Sequence, residues 1–340
     1  LERVSVIEDV VYTADGSNLL LASKTGALMM VDAGTGEVIY EVEEDVGSGA
    51  GALLFIEVSP DGRQVLGSFS DSGLVIWDLA SGEMLQYFRN LGGALALAYL
   101  PQEEAVLIGG QGLKTIDPQT GEVLRTNNSQ GEAIFDLTAT SDGRYAVGTA
   151  LDGTVRMWDT QGGQIVHQYS GPQAVLFEIA LSPDARSVLV GLTDGTATLY
   201  DVETGDVIQQ LVDDQPIMSV AFSADGRRAL TGGGYRLAEK VESGHIILWD
   251  LETGEAIRRF EGHPYAVFDV EFSPDEQMIA SAGNGAAAIL WDAETGEEIR
   301  GFEDYWVNNL YPDISFWDIE FSPDGKQVFA AHADGTIIGW

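Results

Sequence analysis

Leu248-Trp-Asp-Leu-Glu-Thr-Gly-Glu255, then Phe260-Glu-Gly-His263, Phe272-Ser-Pro-Asp275 and Leu290-Trp291: these phrases, met within one stretch, decide the fold. Between them lie four short β-prone runs, 266–272, 277–282, 287–292 and 297–302, called strands a to d. Ser-Pro-Asp is a turn signal, because Pro presets φ and Asp bonds its own backbone. Strand a, with Val267, Val270 and Phe272, reads as buried on both faces. Strand d, with Glu297-Glu-Ile-Arg300, alternates and carries charge, as an outer edge strand should. No segment shows sustained helical periodicity.

Working outward, both phrases recur along the whole chain. An apolar-Asp pair followed by Gly-Glu or a near variant falls at Asp32, Asp78, Asp117, Asp159, Asp201, Asp250 and Asp292, at intervals of 39–49 residues. Trp340 stands where an eighth copy would place its Trp. The upstream turn phrase starts at Thr13, Ser59, Leu100, Thr140, Ser182, Ser223, Ser273 and Ser322. Self-similarity at such a period is the mark of a repeat architecture.

With Gly262-His263 opening a repeat and Trp291-Asp292 closing strand c, the chain resembles the WD-repeat family in its bacterial form, over essentially its whole length. The resemblance implies an all-β fold, a β-propeller of four-stranded antiparallel blades around a channel. Units starting near residues 6, 52, 94, 133, 175, 216, 266 and 315 give eight blades, with seven as the alternative, in one domain spanning 1–340. The family's buried network of His, Ser/Thr, Asp and Trp is approached only by His263, Ser281 and Trp291, with Asn284 where Asp is expected. Other units keep fragments, such as Asp152 with Trp158. Leu1 to Ser5 is short for completing the last blade, so the expectation is a piece of a longer protein.

Composition narrows the function. The chain of 340 residues has no cysteine, which removes disulfides, thiolate metal sites and cysteine nucleophiles. Fifty-four acidic residues face 17 Lys and Arg, a net charge of -37. Such a surface repels phosphate backbones and anionic lipid, so nucleic acid is not an expected partner. No apolar run reaches the roughly 18 residues of a membrane span, so no direct membrane insertion is expected. The acidic, cysteine-free composition favours an extracytoplasmic setting. The four histidines, His167, His245, His263 and His332, show no ligand spacing and read as surface or turn residues, with His263 in the Gly-His position. Gly47-Ser-Gly-Ala-Gly51 lacks the Lys and helix of a phosphate loop. No cofactor, no metal and no catalytic set is expected. Asn127-Asn128-Ser129 is a glycosylation-type triplet.

The resemblance also points to a recurring position. Two residues of each strand a fall at a β-bulge near the mouth of the channel, and bulges re-aim side chains. The pairs are Glu8-Asp9, Leu54-Phe55, Leu95-Ala96, Phe135-Asp136, Phe177-Glu178, Met218-Ser219, Phe268-Asp269 and Trp317-Asp318. Aromatic rings beside carboxylates suit a ligand with cationic and apolar groups; the competing reading is apolar packing between blades with solvated acids. Insertions at 234–244 and 303–314 lengthen connections on the same face, and the second carries Tyr305, Trp306 and Tyr311. The expected function is a non-catalytic recognition module. It would bind a partner protein or peptide, with basic groups, through Phe135, Asp136, Phe177, Glu178, Met218, Phe268, Asp269, Tyr305, Trp306, Tyr311, Trp317 and Asp318. The alternative is a small molecule or carbohydrate at the channel mouth.

Overall fold

The structure, a computed structural model, describes residues 7–43, 52–70, 73–89, 91, 94–100, 104–110, 112–127, 133–150, 152–170, 176–234, 243–285, 287–301, 315–332 and 337–339. Eight sets of antiparallel strands follow one another, and in each the order a-b-c-d is the order of the sequence. Seven sets have four strands; blade 8 has three among the described residues, Phe316–Phe321, Val328–His332 and Ile337–Gly339. The protein is an all-β, eight-bladed β-propeller. Among the described residues no helix is long and apolar enough to cross a membrane.

The chain divides into two compact units, Leu1–Ser170 with blades 1–4 and Gly171–Trp340 with blades 5–8. Within the first unit, strand a of each blade packs on strand a of the next, from Ile7–Tyr12 through Leu53–Val58 and Ala94–Leu100 to Ile134–Ala139. The second unit repeats this from Leu176–Leu181 through Ile217–Phe222 and Val267–Phe272 to Phe316–Phe321.

The two recurring phrases are the two turns of each blade. In the a–b turn of blade 2, Ser59 Oγ donates to Asp61 Oδ1 at 2.6 Å and accepts from the Gln64 amide at 2.9 Å. Gly62 closes that turn at φ +67°, in the left-handed region that glycine enters without steric cost. Where Gly is missing, Ala185 and Glu276 hold the same conformation at φ 55° and 57°. In the c–d turn the Asp after the apolar residue is the cap: Asp32 Oδ1 accepts the Thr35 hydroxyl at 2.9 Å and the Thr35 amide at 2.7 Å. Those bonds hold the Asp32 carboxyl below the usual range, and Asp78 and Asp292 repeat the arrangement with Ser81 and Thr295.

Strand a is not the strand buried on both faces. In Val267–Phe272 the apolar residues alternate with half-buried Asp269 and Glu271, while strands b and c, as in Val65–Phe69 and Leu74–Trp77, are buried without a break. The reason lies in how blades stack. Strands b and c of one blade are covered on one side by the preceding blade and on the other by the next, so that Leu20, Leu28 and Met30 of blade 1 share a core with Leu53, Ile56, Val65 and Trp77 of blade 2. Leu230, Ile246 and Phe260 of blade 6 meet Val267, Ile279 and Trp291 of blade 7 in the same way. Strand d is an exposed edge, with Val38 and Ile39 nearly half exposed.

Candidate functional site

Every strand a carries the bulge that the sequence pairs suggest. Ladder pairing skips one residue between Ile7 and Asp9, Leu53 and Phe55, Ile134 and Asp136, Leu176 and Glu178, Ile217 and Ser219, Val267 and Asp269, and Phe316 and Asp318. In blade 3 the skip falls at Leu95, between Ala94 and Ala96. An inserted residue locally breaks the ladder, which frees the bulged side chain from the strand's alternation.

What stands at these positions differs from blade to blade. In the second unit the Phe268 and Trp317 rings of adjacent blades stack, 4.9 Å between centroids and 12° between planes. Trp317 is 39% exposed and Phe268 partly buried. Their neighbours Asp269 and Asp318 are both half-buried. Asp269 Oδ2 accepts the Ile319 amide at 2.8 Å. Burial first, then the Asp318 and Glu178 carboxylates, push the Asp269 carboxyl well above the usual range. Met218 is buried, and Ser219 beside it is fully buried. The side chains of Phe135 and Phe177, and the whole of Tyr305, Trp306 and Tyr311, lie outside the described residues.

Sequence reasoning missed a structural duty of the bulge acids. Asp9 Oδ2 accepts the Ile56 amide of the next blade at 2.8 Å, and Glu178 Oε2 the Val220 amide at 3.0 Å, as Asp269 does for Ile319. Two residues further on, Glu57 takes the Tyr99 amide at 3.3 Å and Glu271 the Phe321 amide at 2.6 Å. These carboxylates clasp strand a of one blade to strand a of the next. Burial raises Glu57 to about 7 and Glu271 to about 8. Asp136 differs, because its Oδ1 accepts from its own neighbour, the Leu137 amide, at 2.8 Å.

The histidines are more buried than the sequence suggests. His263, His245 and His332 are all buried, and His167 lies in outer strand d beside Tyr169. His263 Nε2 and Ser281 Oγ are hydrogen-bonded at 2.7 Å and Trp291 Nε1 donates to the same oxygen at 2.8 Å, as the family network implies. Asn284 plays no part in it and instead accepts from the Ser315 hydroxyl at 3.3 Å. Burial pushes His263 down to about 3, so it stays neutral.

His245 belongs to a cluster no spacing could show. Its Nε2 lies 2.9 and 2.8 Å from the two Asp213 oxygens, 32 residues away in the chain. Arg259 Nη2 donates to its Nδ1 at 3.0 Å. A guanidinium only donates, so Nδ1 is the acceptor and Nε2 carries the proton. Asp213, Asp214 and His245 are the only described group close enough to share a metal. Both ring nitrogens are already engaged, and a metal would have to displace a guanidinium, so the cluster reads as a hydrogen-bonded chain from Asp213 through neutral His245 to Arg259. Asn127, the first residue of the glycosylation-type triplet, is buried, with its Nδ2 donating to Thr115 Oγ1 at 3.0 Å.

Blades, turns and the His263–Ser281–Trp291 triad together are those of a WD-repeat β-propeller. The chain belongs to the propeller family described as outer membrane protein assembly factor BamB, whose model matches residues 62–300, and its residues 312–340 match the WD domain, G-beta repeat. Among curated relatives, it is 31% identical over 107 residues to U3 small nucleolar RNA-associated protein 12 of Saccharomyces cerevisiae, covering 31% of this chain and 11% of that protein. It is 24% identical over 124 residues to a subunit of chromatin assembly factor 1 of Gallus gallus, covering 36% of this chain and 19% of that protein. The matched stretches thus span a small part of those proteins. The crystal structure of the computationally designed Ika8 protein superposes on 100% of this chain and 98% of its own, with a TM-score of 0.81 at 20% identity, a likeness of fold.

Proposed function

We propose that the chain is a non-catalytic recognition module that binds a partner protein or peptide through the bulge row of its inner strands. The observation that carries this reading is the stacked Phe268–Trp317 pair with Asp269 and Asp318 beside it. A large ring more than a third exposed, held rigid by a second ring, is a ready anchor; interface hot spots are enriched in Trp. Asp318 beside the exposed ring favours a partner that brings a basic group, and a cation over an indole face is attracted by the ring quadrupole. The net charge of -37 strengthens that preference and disfavours nucleic acid. Relatives whose names place them in chromatin assembly and in association with a small nucleolar RNA support assembly with other macromolecules. No nucleophile with a base stands at the bulge row among the described residues, which supports the non-enzymatic reading.

A random peptide library displayed against the whole chain tests this. Selected peptides should carry Arg or Lys next to an aromatic or aliphatic residue. Trp317→Ala should weaken them roughly 30-fold, the hot-spot scale of about 2 kcal/mol, with an unchanged melting temperature. Selection of acidic or uncharged peptides, or affinity indifferent to Trp317→Ala, would overturn the reading. A glycan array run in parallel decides for carbohydrate if only sugars bind.

A further inference from the structure

The chain carries a single Asn-Gly pair, Asn284-Gly285, in the b–c turn of blade 7. We propose that this pair is a self-modification site: the Gly285 nitrogen closes on the Asn284 carboxamide, assisted by Ser315, and the ring then opens to aspartate or isoaspartate.

This turn differs from its counterparts at the atoms the reaction uses. Gly26, Gly153 and Gly195 hold the matching position in blades 1, 4 and 5, at φ 91°, 77° and 88° against 85° for Gly285. Those three donate their N–H to the carbonyls of Ser23, Ala150 and Leu192 at 2.9, 2.9 and 3.2 Å. The Gly285 N–H donates to no partner among the described residues, so the attacking nitrogen is not tied down. Glycine also brings no Cβ to stand over that nitrogen. The residue before it differs as well. Asp152 Oδ1 accepts the Thr154 amide and hydroxyl at 3.1 and 2.6 Å, and Asp194 Oδ1 those of Thr196 at 3.0 and 2.6 Å. Such bonds lock the side chain over its own turn. After Gly285 the sequence has Ala286, which has no hydroxyl.

The Asn284 carboxamide is held from the next blade instead. Ser315 Oγ donates to its Oδ1 at 3.3 Å, while the Asn284 N–H is fixed on the Ala266 carbonyl at 2.9 Å. A donor on the amide oxygen stabilises the negative charge that develops there when Cγ is attacked. Asn284 and Gly285 are both half-buried, so water reaches them.

The chemistry needs only water. Gly285 N gives its proton to solvent and bonds to Asn284 Cγ; the Cγ–Nδ2 bond breaks and the carboxamide nitrogen leaves, protonated, as ammonia. Water then adds to one carbonyl of the ring, the bond from that carbon to the ring nitrogen breaks, and the nitrogen takes back a proton. Opening at the side-chain carbonyl gives aspartate, and opening at the main-chain carbonyl gives isoaspartate. Ser315 keeps an acceptor in the product. One residue away, His263 Nδ1 is buried without a partner, 3.1 Å from where a Cβ on Gly283 would lie. A neutral imidazole can carry its proton on either nitrogen, so the ring is able to offer Nδ1–H to a new carboxylate.

Peptide mapping by mass spectrometry, after the whole chain has stood in mildly alkaline heavy-oxygen water, tests the proposal. Residue 284 should lose its amide nitrogen and gain a heavy oxygen, faster as pH rises, because the attacking nitrogen must shed its proton. Asn18 and Asn127, which precede Leu19 and Asn128, should keep their amides over the same time. Asn284→Gln, whose longer side chain closes a larger ring, should keep its amide too. Ser315→Ala should slow the conversion about fivefold, the scale of one neutral hydrogen bond. Thermal melts show that the variants compared are folded. The unmodified chain gives a second reading that needs no variant: conversion should be faster folded than in urea, since only the fold places Ser315 on the amide. An amide retained at residue 284, conversion no faster there than at Asn18, an unchanged rate in folded Ser315→Ala, or faster conversion in urea would overturn the proposal.

Discussion

Ser281 shows how much one hydroxyl can organise. It accepts from Trp291, is hydrogen-bonded to His263 at 2.7 Å and lies 3.3 Å from the Ile289 carbonyl. Thr231 does part of this in blade 6, accepting from Trp249 Nε1 at 2.9 Å. In blade 2 the equivalent position is Gly67, and Trp77 Nε1 is buried without a partner. A Cβ there would lie 2.4 Å from the Trp77 ring, so the indole has taken the space a hydroxyl would need. The buried acids carry the prediction at this scale. Glu57 and Glu271 keep their protons in the fold to about pH 7 and 8 against an ordinary 4.5, so the unfolded chain gives them up first. Their contribution is complete below pH 4.5 and is lost as pH rises through 7 and 8. Melting temperature should therefore fall between about pH 5.5 and 8.5, and Glu271→Gln should flatten that fall by about 2 °C or more, the scale of 1 kcal/mol in a domain of this order. A slope identical in Glu271→Gln would show that Glu271 is ionised at no cost.

At the scale of strands, the turns were readable because their chemistry is local. Ser59, Asp61 and Gly62 act within six residues of one another, and each turn phrase announces itself without knowledge of the rest. The bulges were readable through the family pattern, down to the pair of residues that contains the skipped one. The clasps between blades were not. Asp9, Glu178 and Asp269 reach amides 42–50 residues onward, and the same register holds Phe55, Ala96 or Ser219 elsewhere, so no recurring letter marks the duty. The same distance hid Asp213 from His245. The clasp makes a prediction that sets two changes of one acid apart. Asp9→Ala removes a bond between blades and leaves the Ile56 amide without its acceptor, which should cost about 1–3 kcal/mol of stability. Asp9→Asn, which keeps an acceptor for that amide, should cost well under about 1 kcal/mol. Urea unfolding of both variants compares them directly, and equal losses would mean that the inter-blade bond adds nothing.

For the molecule as a whole, the net charge of -37 acts in two opposite directions that salt can separate. Repulsion among exposed carboxylates opposes the compact state, and it is screened over about 8–10 Å near physiological ionic strength. Attraction for a basic partner is screened by the same ions. The turn caps Asp32, Asp78 and Asp292 are fixed by hydrogen bonds within their own loops, and such short local contacts respond little to salt. Added salt should thus relieve long-range repulsion while leaving the turns intact. Raising sodium chloride from about 20 mM to 300 mM should increase the melting temperature and, over the same range, slow association with a lysine- or arginine-bearing peptide at least about tenfold. Trp317→Ala should weaken the complex mainly through faster dissociation and leave the salt slope of association unchanged, because the ring is a contact and the charge is a field. Stopped-flow rates at several salt concentrations measure both slopes. An association rate flat in salt, with melting temperature still rising, would confine the charge to solubility and leave the rings alone to choose the partner.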